Sequence, residues 1–148
     1  DKVIELGPTF RRAFAGKGMV YLAMDDHAKA IEYFEKYHKM IGDPLKGLSS
    51  LGHAYAAAGY TDKSLEIIEK IKEREKRDPG ISLDMAYAFV YAGLKDYDKT
   101  FQYLNKTYAN RMGIACLGMI FCARYPMMNE LKTEQRFKSL TIKMDIQF

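Results

Sequence analysis

The sequence has few cysteines. Only two occur among the 148 residues, Cys116 and Cys122, and their separation of six matches neither a metal-binding pair nor a redox pair. A scaffold held together by disulfides needs more cysteines than this. We therefore expect two buried free thiols in a reducing compartment, which predicts a cytoplasmic protein.

The sequence also lacks a strong charge of either sign and a long apolar run. Its 23 Lys and Arg residues against 19 Asp and Glu residues give a formal net charge of +4 at pH 7. This charge is too small to imply a nucleic-acid or anionic-membrane partner. The apolar run from Met112 to Ala123 falls short of the roughly 20 residues that span a bilayer. We expect a buried segment there and no membrane contact.

Motifs that carry catalysis or bind cofactors are missing from the sequence. There is no glycine-rich phosphate loop and no Gly-x-Ser-x-Gly motif. His27, His38 and His53 have no cysteine or carboxylate at ligand spacing, so we expect no zinc site. The pair Asp25 and Asp26 is explained by capping of a helix start. The sequence therefore predicts a protein that is not an enzyme and uses no metal or cofactor.

A short motif recurs every 34 residues along the chain. Lys17-Gly18-x-x-Tyr21 returns as Leu51-Gly52-x-x-Tyr55, and a weaker copy follows at Met85-Ala86-x-x-Phe89. A period of this length is typical of a solenoid, in which each helix pair buries its apolar face only by stacking on its neighbours. The sequence therefore predicts an all-α fold, an α-solenoid of about three helix pairs with a C-terminal capping segment.

Periodicity and capping signals predict where the helices lie. Apolar spacing through Val20 and Met24 marks a helix of the first pair. Asp43-Pro44 and Asp78-Pro79 predict the starts of the second and third pairs, because Asp caps a helix and Pro fits its first turn. The second helices of these pairs and a last helix are expected to bury large apolar residues, namely Leu65, Ile68, Ile71, Phe101, Leu104, Phe137 and Leu140.

The repeated residues resemble the tetratricopeptide repeat. Its pattern combines a large residue, an apolar and small pair, an aromatic, a later Ala with a large apolar residue, and a final proline. The three copies read Phe14, Lys17-Gly18, Tyr21, Ala30, Phe34 and Pro44; Leu48, Leu51-Gly52, Tyr55, Ser64, Ile68 and Pro79; Ser82, Met85-Ala86, Phe89, Thr100 and Leu104. The small residue, such as Gly18, lets two helices approach closely. The resemblance implies a right-handed superhelix.

The same resemblance implies how the chain is divided. Residues 1–148 form one domain with repeats at 9–43 and 44–78, a degenerate repeat at 79–110 and a cap at 111–148. Residues 1–8 resemble the tail of a preceding repeat, so we expect at least one further repeat before them. The segment from Tyr125 to Leu140 is similar to the end of tetratricopeptide domains in bacterial winged-helix regulators, adenylate cyclases and protein kinases. That similarity implies a scaffold or sensor attached to an effector.

The resemblance also places the first helix of each pair on a concave groove. The repeat phase then predicts its partner-binding residues: Arg12, Met19, Leu22, Lys46, Ser49, His53, Leu83, Tyr87 and Tyr91. Such a surface suits an amphipathic helix or an extended peptide, with apolar anchors on the tyrosines and a carboxylate near Arg12 or Lys46. His53 projects into this predicted groove and could hydrogen-bond a ligand.

The sequence therefore predicts a protein–protein interaction module. We expect it to be the scaffold or regulatory segment of a larger bacterial signalling or transcription-regulatory protein, with a peptide or partner domain in the groove. The alternative is a small-molecule-sensing domain attached to an effector. A second copy of the chain or an intramolecular effector domain also remains open as the partner.

Overall fold

The computed structural model describes residues 11–41, 47–110 and 130–143, and these ranges contain helices and no strand. The α-helices in them are α1 at Arg11–Ala23, α2 at His27–Ile41, α3 at Leu48–Ala57, α4 at Thr61–Arg77, α5 at Asp84–Gly93, α6 at Tyr97–Ala109 and α7 at Gln135–Lys143. A short 3₁₀-helix at Glu130–Thr133 precedes α7. The predicted all-α helical-repeat fold is confirmed.

Six of these helices form three consecutive pairs. Helix α1 packs against α2, α3 against α4, and α5 against α6. Helix α3 also packs against α2 and α5, so the second pair lies between the first and the third. Helix α7 follows the last pair and contacts α6. The stacking supplies each pair with the apolar neighbours that it lacks alone.

The turn inside each pair has the same backbone geometry. Its central residue has a left-handed conformation, with φ of 57° at Asp25, 83° at Gly59 and 58° at Lys95. In each turn the residue that follows the left-handed one donates a hydrogen bond from its N–H to the carbonyl five positions before it. These bonds run from Asp26 to Tyr21, from Tyr60 to Tyr55 and from Asp96 to Tyr91, at 3.0, 2.8 and 3.0 Å. They close the C-terminal ends of α1, α3 and α5.

An aspartate caps the second helix of the first and third pairs. Asp26 Oδ1 accepts a hydrogen bond of 3.2 Å from the Lys29 amide, and Asp96 Oδ1 accepts one of 3.1 Å from the Lys99 amide. The lysine ammonium lies 2.7 Å from the other carboxylate oxygen in both cases. These contacts hold the pKa of both carboxyl groups below the usual value. The predicted capping role of Asp26 is confirmed.

The glycines of the repeated motif allow close helix packing. A Cβ at Gly18 would lie 2.6 Å from the Phe34 ring, which is buried on α2. A Cβ at Gly52 would lie 2.8 Å from Val90 and 3.1 Å from Ile67. Gly18 therefore permits contact within the first pair, as predicted. Gly52 does the same within the second pair and also permits contact with the third.

The predicted inner residues of the second helices are largely confirmed. Ile68 and Ile71 are each 2% exposed, while Leu65 is 46% exposed and its predicted inner position is wrong. Ile67, at 3%, is buried on the inner face of α4 instead. At about 100° per residue, Ile67, Ile71 and Ile68 lie within one face about 100° wide, and Leu65 lies about 60° beyond the edge of that face at Ile68. The remaining predicted inner residues are buried, namely Phe101, Leu104, Phe137 and Leu140.

A helix forms where the apolar spacing through Val20 and Met24 predicts one, but both of these side chains are largely exposed. Val20 is 57% exposed and Met24 is 68% exposed. One and two repeats after Val20 the equivalent residues are Ala54 and Ala88, and both are fully buried. On α3 and α5 this face is covered by the preceding pair, whereas no element precedes α1 in the described part of the chain.

The predicted start of the third pair is also wrong. Helix α5 begins at Asp84 and not at Asp78-Pro79. The Ile81 amide instead donates a 3.0 Å hydrogen bond to the Asp78 carbonyl, which closes a turn. Gly80 lies in this turn, and glycine disfavours a helix by about 1 kcal/mol relative to alanine. The capping signal was therefore outweighed by the residues that follow it.

Several predictions concern residues outside the described ranges. They are the preceding-repeat tail at 1–8, the helix start at Asp43-Pro44, the groove residue Lys46, the run from Met112 to Ala123, and Cys116 and Cys122. The repeat boundaries also stay a prediction, although the three helix pairs fall within 9–43, 44–78 and 79–110.

Candidate functional site

A cavity of about 250 Å³ lies at the C-terminal ends of α1, α3 and α5, beside the 3₁₀-helix. Its lining residues are Leu22, Asp25, His27, His53, Ala57, Ala92, Gly93, Lys95 and Glu130. All three helix pairs and the segment before α7 contribute to it. The cavity therefore exists only because the pairs stack.

His53 is the most deeply buried polar residue of the cavity lining, at 7% exposure. Its Nδ1 lies 2.9 Å from the Phe89 carbonyl oxygen, and because a carbonyl only accepts, Nδ1 carries the proton. Burial lowers the imidazole pKa to about 4, so the ring is neutral at pH 7. Nε2 is then a hydrogen-bond acceptor, and none of the described residues bonds to it.

The backbones of α3 and α5 touch beside His53. A Cβ at Gly93 would lie 2.8 Å from the His53 carbonyl oxygen and 3.0 Å from the Ala56 Cβ. A larger residue at Gly93 would separate the two helices. Gly93 therefore fixes the depth of the cavity between the second and third pairs.

Glu130 is held at the cavity by two partners. Tyr97 donates a 2.7 Å hydrogen bond to Oε2, and Lys95 Nζ lies 3.3 Å from the carboxylate. The hydrogen bond from Tyr97, and then that from Lys95, keep the pKa of Glu130 below its usual value. The same hydrogen bond and partial burial raise the pKa of Tyr97 to about 12. Glu130 is therefore a carboxylate at neutral pH.

Asp25 and His27 form another part of the lining. His27 Nε2 lies 3.9 Å from Asp25 Oδ1, and the Asp25 side chain is 93% exposed. Among the described residues, Asp25 and Lys95 alone combine a positive φ with a side chain, and both line the cavity. The equivalent residue of the middle turn, Gly59, does not line it. A left-handed backbone costs a residue with a side chain about 1–2 kcal/mol.

Two of the nine predicted groove residues line this cavity, namely Leu22 and His53. Both are buried, at 6% and 7% exposure, where the prediction placed them on an open surface. Arg12 is exposed, and the partly buried residues Met19, Ser49 and Leu83 lie outside the cavity lining. Whether these residues bind a partner stays a prediction.

The expected exposure of Tyr87 and Tyr91 is wrong. They are 2% and 8% exposed, and their rings stack on Tyr103 with centroids 4.6 and 5.7 Å apart. The Tyr87 hydroxyl donates a 2.9 Å hydrogen bond to Glu75 of α4. These tyrosines therefore join α5 to α4 and α6. Their apolar rings gain more from burial between helices than from a place in an open groove.

Sequence reasoning missed four charged or titratable lining residues, namely Asp25, His27, Lys95 and Glu130. Three of them lie in the turns or at the helix start after α1 and α5. The signal that could have found them is the repeat period, which brings the ends of successive first helices side by side. Glu130 carried no such signal, because it lies after the repeats.

Two other kinds of site are absent from the described ranges. No group of three or more His, Cys, Asp or Glu side chains there could hold a metal ion. Of the helices that the structure describes, none has both the length and the apolar content needed to cross a membrane.

Comparison with known proteins identifies one repeat. The family model described as "Tetratricopeptide repeat" matches residues 12–40, which cover almost all of α1 and α2. No curated protein and no solved structure matches the chain, so these comparisons do not support the resemblance to particular bacterial regulators. The chain therefore contains a tetratricopeptide repeat at residues 12–40, at the start of a stack of helix pairs.

Proposed function

We propose that this chain is a protein–protein interaction module that binds a segment of a partner at the cavity between its helix pairs. Tetratricopeptide repeats generally mediate contacts between proteins, and residues 12–40 match that repeat. The observation that carries the proposal is the cavity itself, because all three pairs and the 3₁₀-helix line it. A partner there touches every pair at once.

The arrangement suits recognition of a side chain more than recognition of a large flat surface. The apolar part of the lining consists of small residues and one leucine, namely Ala57, Ala92, Gly93 and Leu22. The polar part surrounds it with carboxylates, an ammonium and imidazoles. One anchor residue of a bound peptide would enter, while its neighbours lie along the ends of the first helices.

Peptide selection followed by mapping tests this proposal. A library of random peptides is displayed, binders to the intact chain are selected, and one binder is titrated into ¹⁵N-labelled protein. We expect the largest amide shifts at Ala57, Ala92 and Gly93, with little change at exposed α4 residues such as Glu73. Binders that shift α4 and leave the cavity residues unchanged would refute the proposed site.

A second candidate function is small-molecule sensing. It is favoured by His53, a buried residue that lines the cavity and has an acceptor nitrogen without a described partner. A ligand that binds only the folded state raises the unfolding temperature by mass action. A thermal-shift screen with a metabolite panel therefore tests it. Hits that disappear when Ala57 is replaced by Phe would support this function over the first.

We further propose a scaffold or regulatory role without catalysis, in the cytoplasm, as part of a larger bacterial signalling or transcription-regulatory protein. The repeat at 12–40 supports the scaffold role, since such repeats are typically non-catalytic. The bacterial context is supported by the sequence similarity between Tyr125 and Leu140 alone. A homodimer and an intramolecular effector domain remain candidate partners, which sedimentation of the isolated chain and of the longer protein would separate.

A further inference from the structure

We propose that the cavity selects a cationic group, a protonated amine or a guanidinium, which binds between Asp25 and Glu130. This inference rests on the proposed function, because it names the chemistry that the partner presents at the same site. It reverses the expectation from the sequence, which placed a carboxylate of the partner near Arg12 or Lys46.

The fixed charges of the lining favour a cation. Two carboxylates, Asp25 and Glu130, face one ammonium, Lys95. That ammonium lies 3.3 Å from Glu130, so its charge is already offset by a partner. The other carboxylate, Asp25, faces the His27 imidazole at 3.9 Å, and its side chain is 93% exposed and open to a guest. A guanidinium can bond to a carboxylate through two parallel N–H donors.

The helix ends add to this preference. Helices α1, α3 and α5 end at Ala23, Ala57 and Gly93, and residues of each of these ends line the cavity. The C-terminal end of a helix carries a partial negative charge, equivalent to about half an elementary charge. Three such ends at one cavity favour a positive guest, and the N-terminal end of α2 at His27 offsets only part of this effect.

His53 supplies an independent pointer to a donor guest. Its side chain is more than nine-tenths buried, its Nδ1 proton is used by the Phe89 carbonyl, and it lines the cavity. Nε2 can only accept a hydrogen bond in this tautomer. An N–H of an ammonium or guanidinium provides the missing donor, whereas a carboxylate cannot.

The backbone also retains side chains where glycine would be easier. Asp25 and Lys95 have φ of 57° and 58°, while the third equivalent turn has Gly59. Only the two residues with side chains line the cavity. Unfavourable backbone conformations persist mainly at sites where the side chain has a role. Asp25 provides a carboxylate that faces the guest, and Lys95 holds the Glu130 carboxylate at the cavity.

The size of the cavity limits the guest. At about 250 Å³ it is slightly smaller than pockets for drug-sized molecules, which start at about 300 Å³. One lysine or arginine side chain of a partner protein has a suitable size, and so has a small free amine. Both sources share the same chemistry, and the test below distinguishes them.

The test uses paired probes that differ in charge alone. The first arm titrates n-butylguanidinium and its neutral isostere n-butylurea into ¹⁵N-labelled chain and follows the His53 ring and the Gly93 amide. The second arm takes selected peptides and replaces each Arg by citrulline or each Lys by norleucine. Both arms use the wild type, Asp25→Asn, Glu130→Gln and the control Glu73→Gln, an exposed acid outside the cavity. Asparagine accepts the left-handed backbone of Asp25, so that variant keeps the turn.

The inference predicts that the cationic probe binds at least about tenfold more tightly than its isostere, a difference of about 1.4 kcal/mol. Asp25→Asn and Glu130→Gln should each weaken binding of the cation severalfold, while Glu73→Gln leaves the binding unchanged.

Peptides that bind the cavity without needing a basic residue would overturn the inference and leave the proposed function standing. Binding of n-butylguanidinium without any peptide binder would support the inference with a free amine as source, and would count against the proposed function. Equal binding of cation and isostere in both arms overturns the inference.

Discussion

His53 Nδ1 on α3 donates a hydrogen bond of 2.9 Å to the carbonyl oxygen of Phe89 on α5. This bond joins the second helix pair to the third at the cavity. It also fixes the imidazole tautomer, because the proton must lie on Nδ1. One residue therefore links the stacking of the repeats to the chemistry of the candidate site.

The stability of the fold should depend on pH through His53. Burial lowers its pKa from 6.5 to about 4 in the folded state, so the unfolded chain binds more protons between these values. Its contribution is fully present above pH 6.5 and is lost as the pH falls towards 4. We expect the free energy of unfolding to be about 2 kcal/mol lower at pH 5.0 than at pH 7.5. Urea denaturation at the two pH values measures it.

His53→Asn is the matched variant for this pH dependence. The Asn side-chain amide can replace the Nδ1 donor to Phe89 and does not titrate. In this variant the difference in the free energy of unfolding between pH 7.5 and pH 5.0 should shrink to the part that the carboxyl groups contribute. An NMR titration that gives the folded imidazole a pKa of 6 or above would contradict the account.

Gly16 and Gly18 of α1 should respond oppositely to alanine. A Cβ at Gly18 would lie 2.6 Å from the buried Phe34 ring, whereas a Cβ at Gly16 has nothing within 4 Å. We expect Gly18→Ala to lower the free energy of unfolding by about 1–3 kcal/mol through overpacking. Gly16→Ala should raise it by about 0.5–1 kcal/mol, because glycine is a poor helix former. Thermal or urea unfolding of the two variants measures both changes. Equal changes in the free energy of unfolding would show that the helices of the first pair are not in close contact.

The left-handed turn residues provide a second opposed pair. Gly59 has a φ of 83° and open space around it, so Gly59→Ala should destabilise by about 1 kcal/mol through the backbone alone. Lys95→Gly removes the same strain at a φ of 58°. The Lys95→Gly variant also loses an exposed ion pair with Glu130, which contributes at most about 1 kcal/mol. We therefore expect a small net gain in the free energy of unfolding. A large loss of stability for Lys95→Gly in urea unfolding would contradict the assigned turn geometry.

Asp96 should contribute to stability as a helix cap. Asp96→Ala removes the acceptor for the Lys99 amide at the start of α6. We expect the free energy of unfolding to fall by about 1 kcal/mol. Asp96→Asn keeps the acceptor and should recover most of this loss. If Ala and Asn behave alike in urea unfolding, the side-chain cap is not formed in solution.

Tyr87 should prove to be a core residue. Tyr87→Ala deletes a ring that is 2% exposed and stacked on Tyr103, so we expect a loss of about 3–5 kcal/mol. Tyr87→Phe keeps the ring and removes only the hydrogen bond to Glu75, at a cost near 1 kcal/mol. Urea unfolding measures both. A stable Tyr87→Ala variant that loses only partner binding would restore the original groove assignment.

The fold was largely predictable from local signals. The small residue at Gly18 and the capping aspartate at Asp26 each act within one pair, and both predictions were confirmed. The 34-residue period corresponds to the length of one helix pair, and the predicted stack of pairs was also confirmed. The exposed face of Val20 and the late start of α5 were not predictable in this way. The first depends on whether another element covers α1, and the second on the competition between a cap and the glycine two residues later.

The candidate site was predictable only in part. His53 was identified because its position in the repeat pointed towards the groove. Lys95 and Glu130 are 35 residues apart and meet only after the pairs have stacked. Tyr87 shares the repeat position of His53, yet it is buried against Tyr103. Equivalent positions in a degenerate repeat therefore need not face the same surroundings.

One measurement tests the central claim, that a partner binds in the cavity between the helix pairs. It compares the Kd of a selected peptide for Ala57→Phe, which fills the cavity from the end of α3, with that for Ala28→Phe on the exposed surface of α2. Circular dichroism and thermal unfolding verify that both variants are folded. The account predicts at least about tenfold weaker binding for Ala57→Phe and an unchanged Kd for Ala28→Phe. Equal affinities of the two folded variants would contradict it.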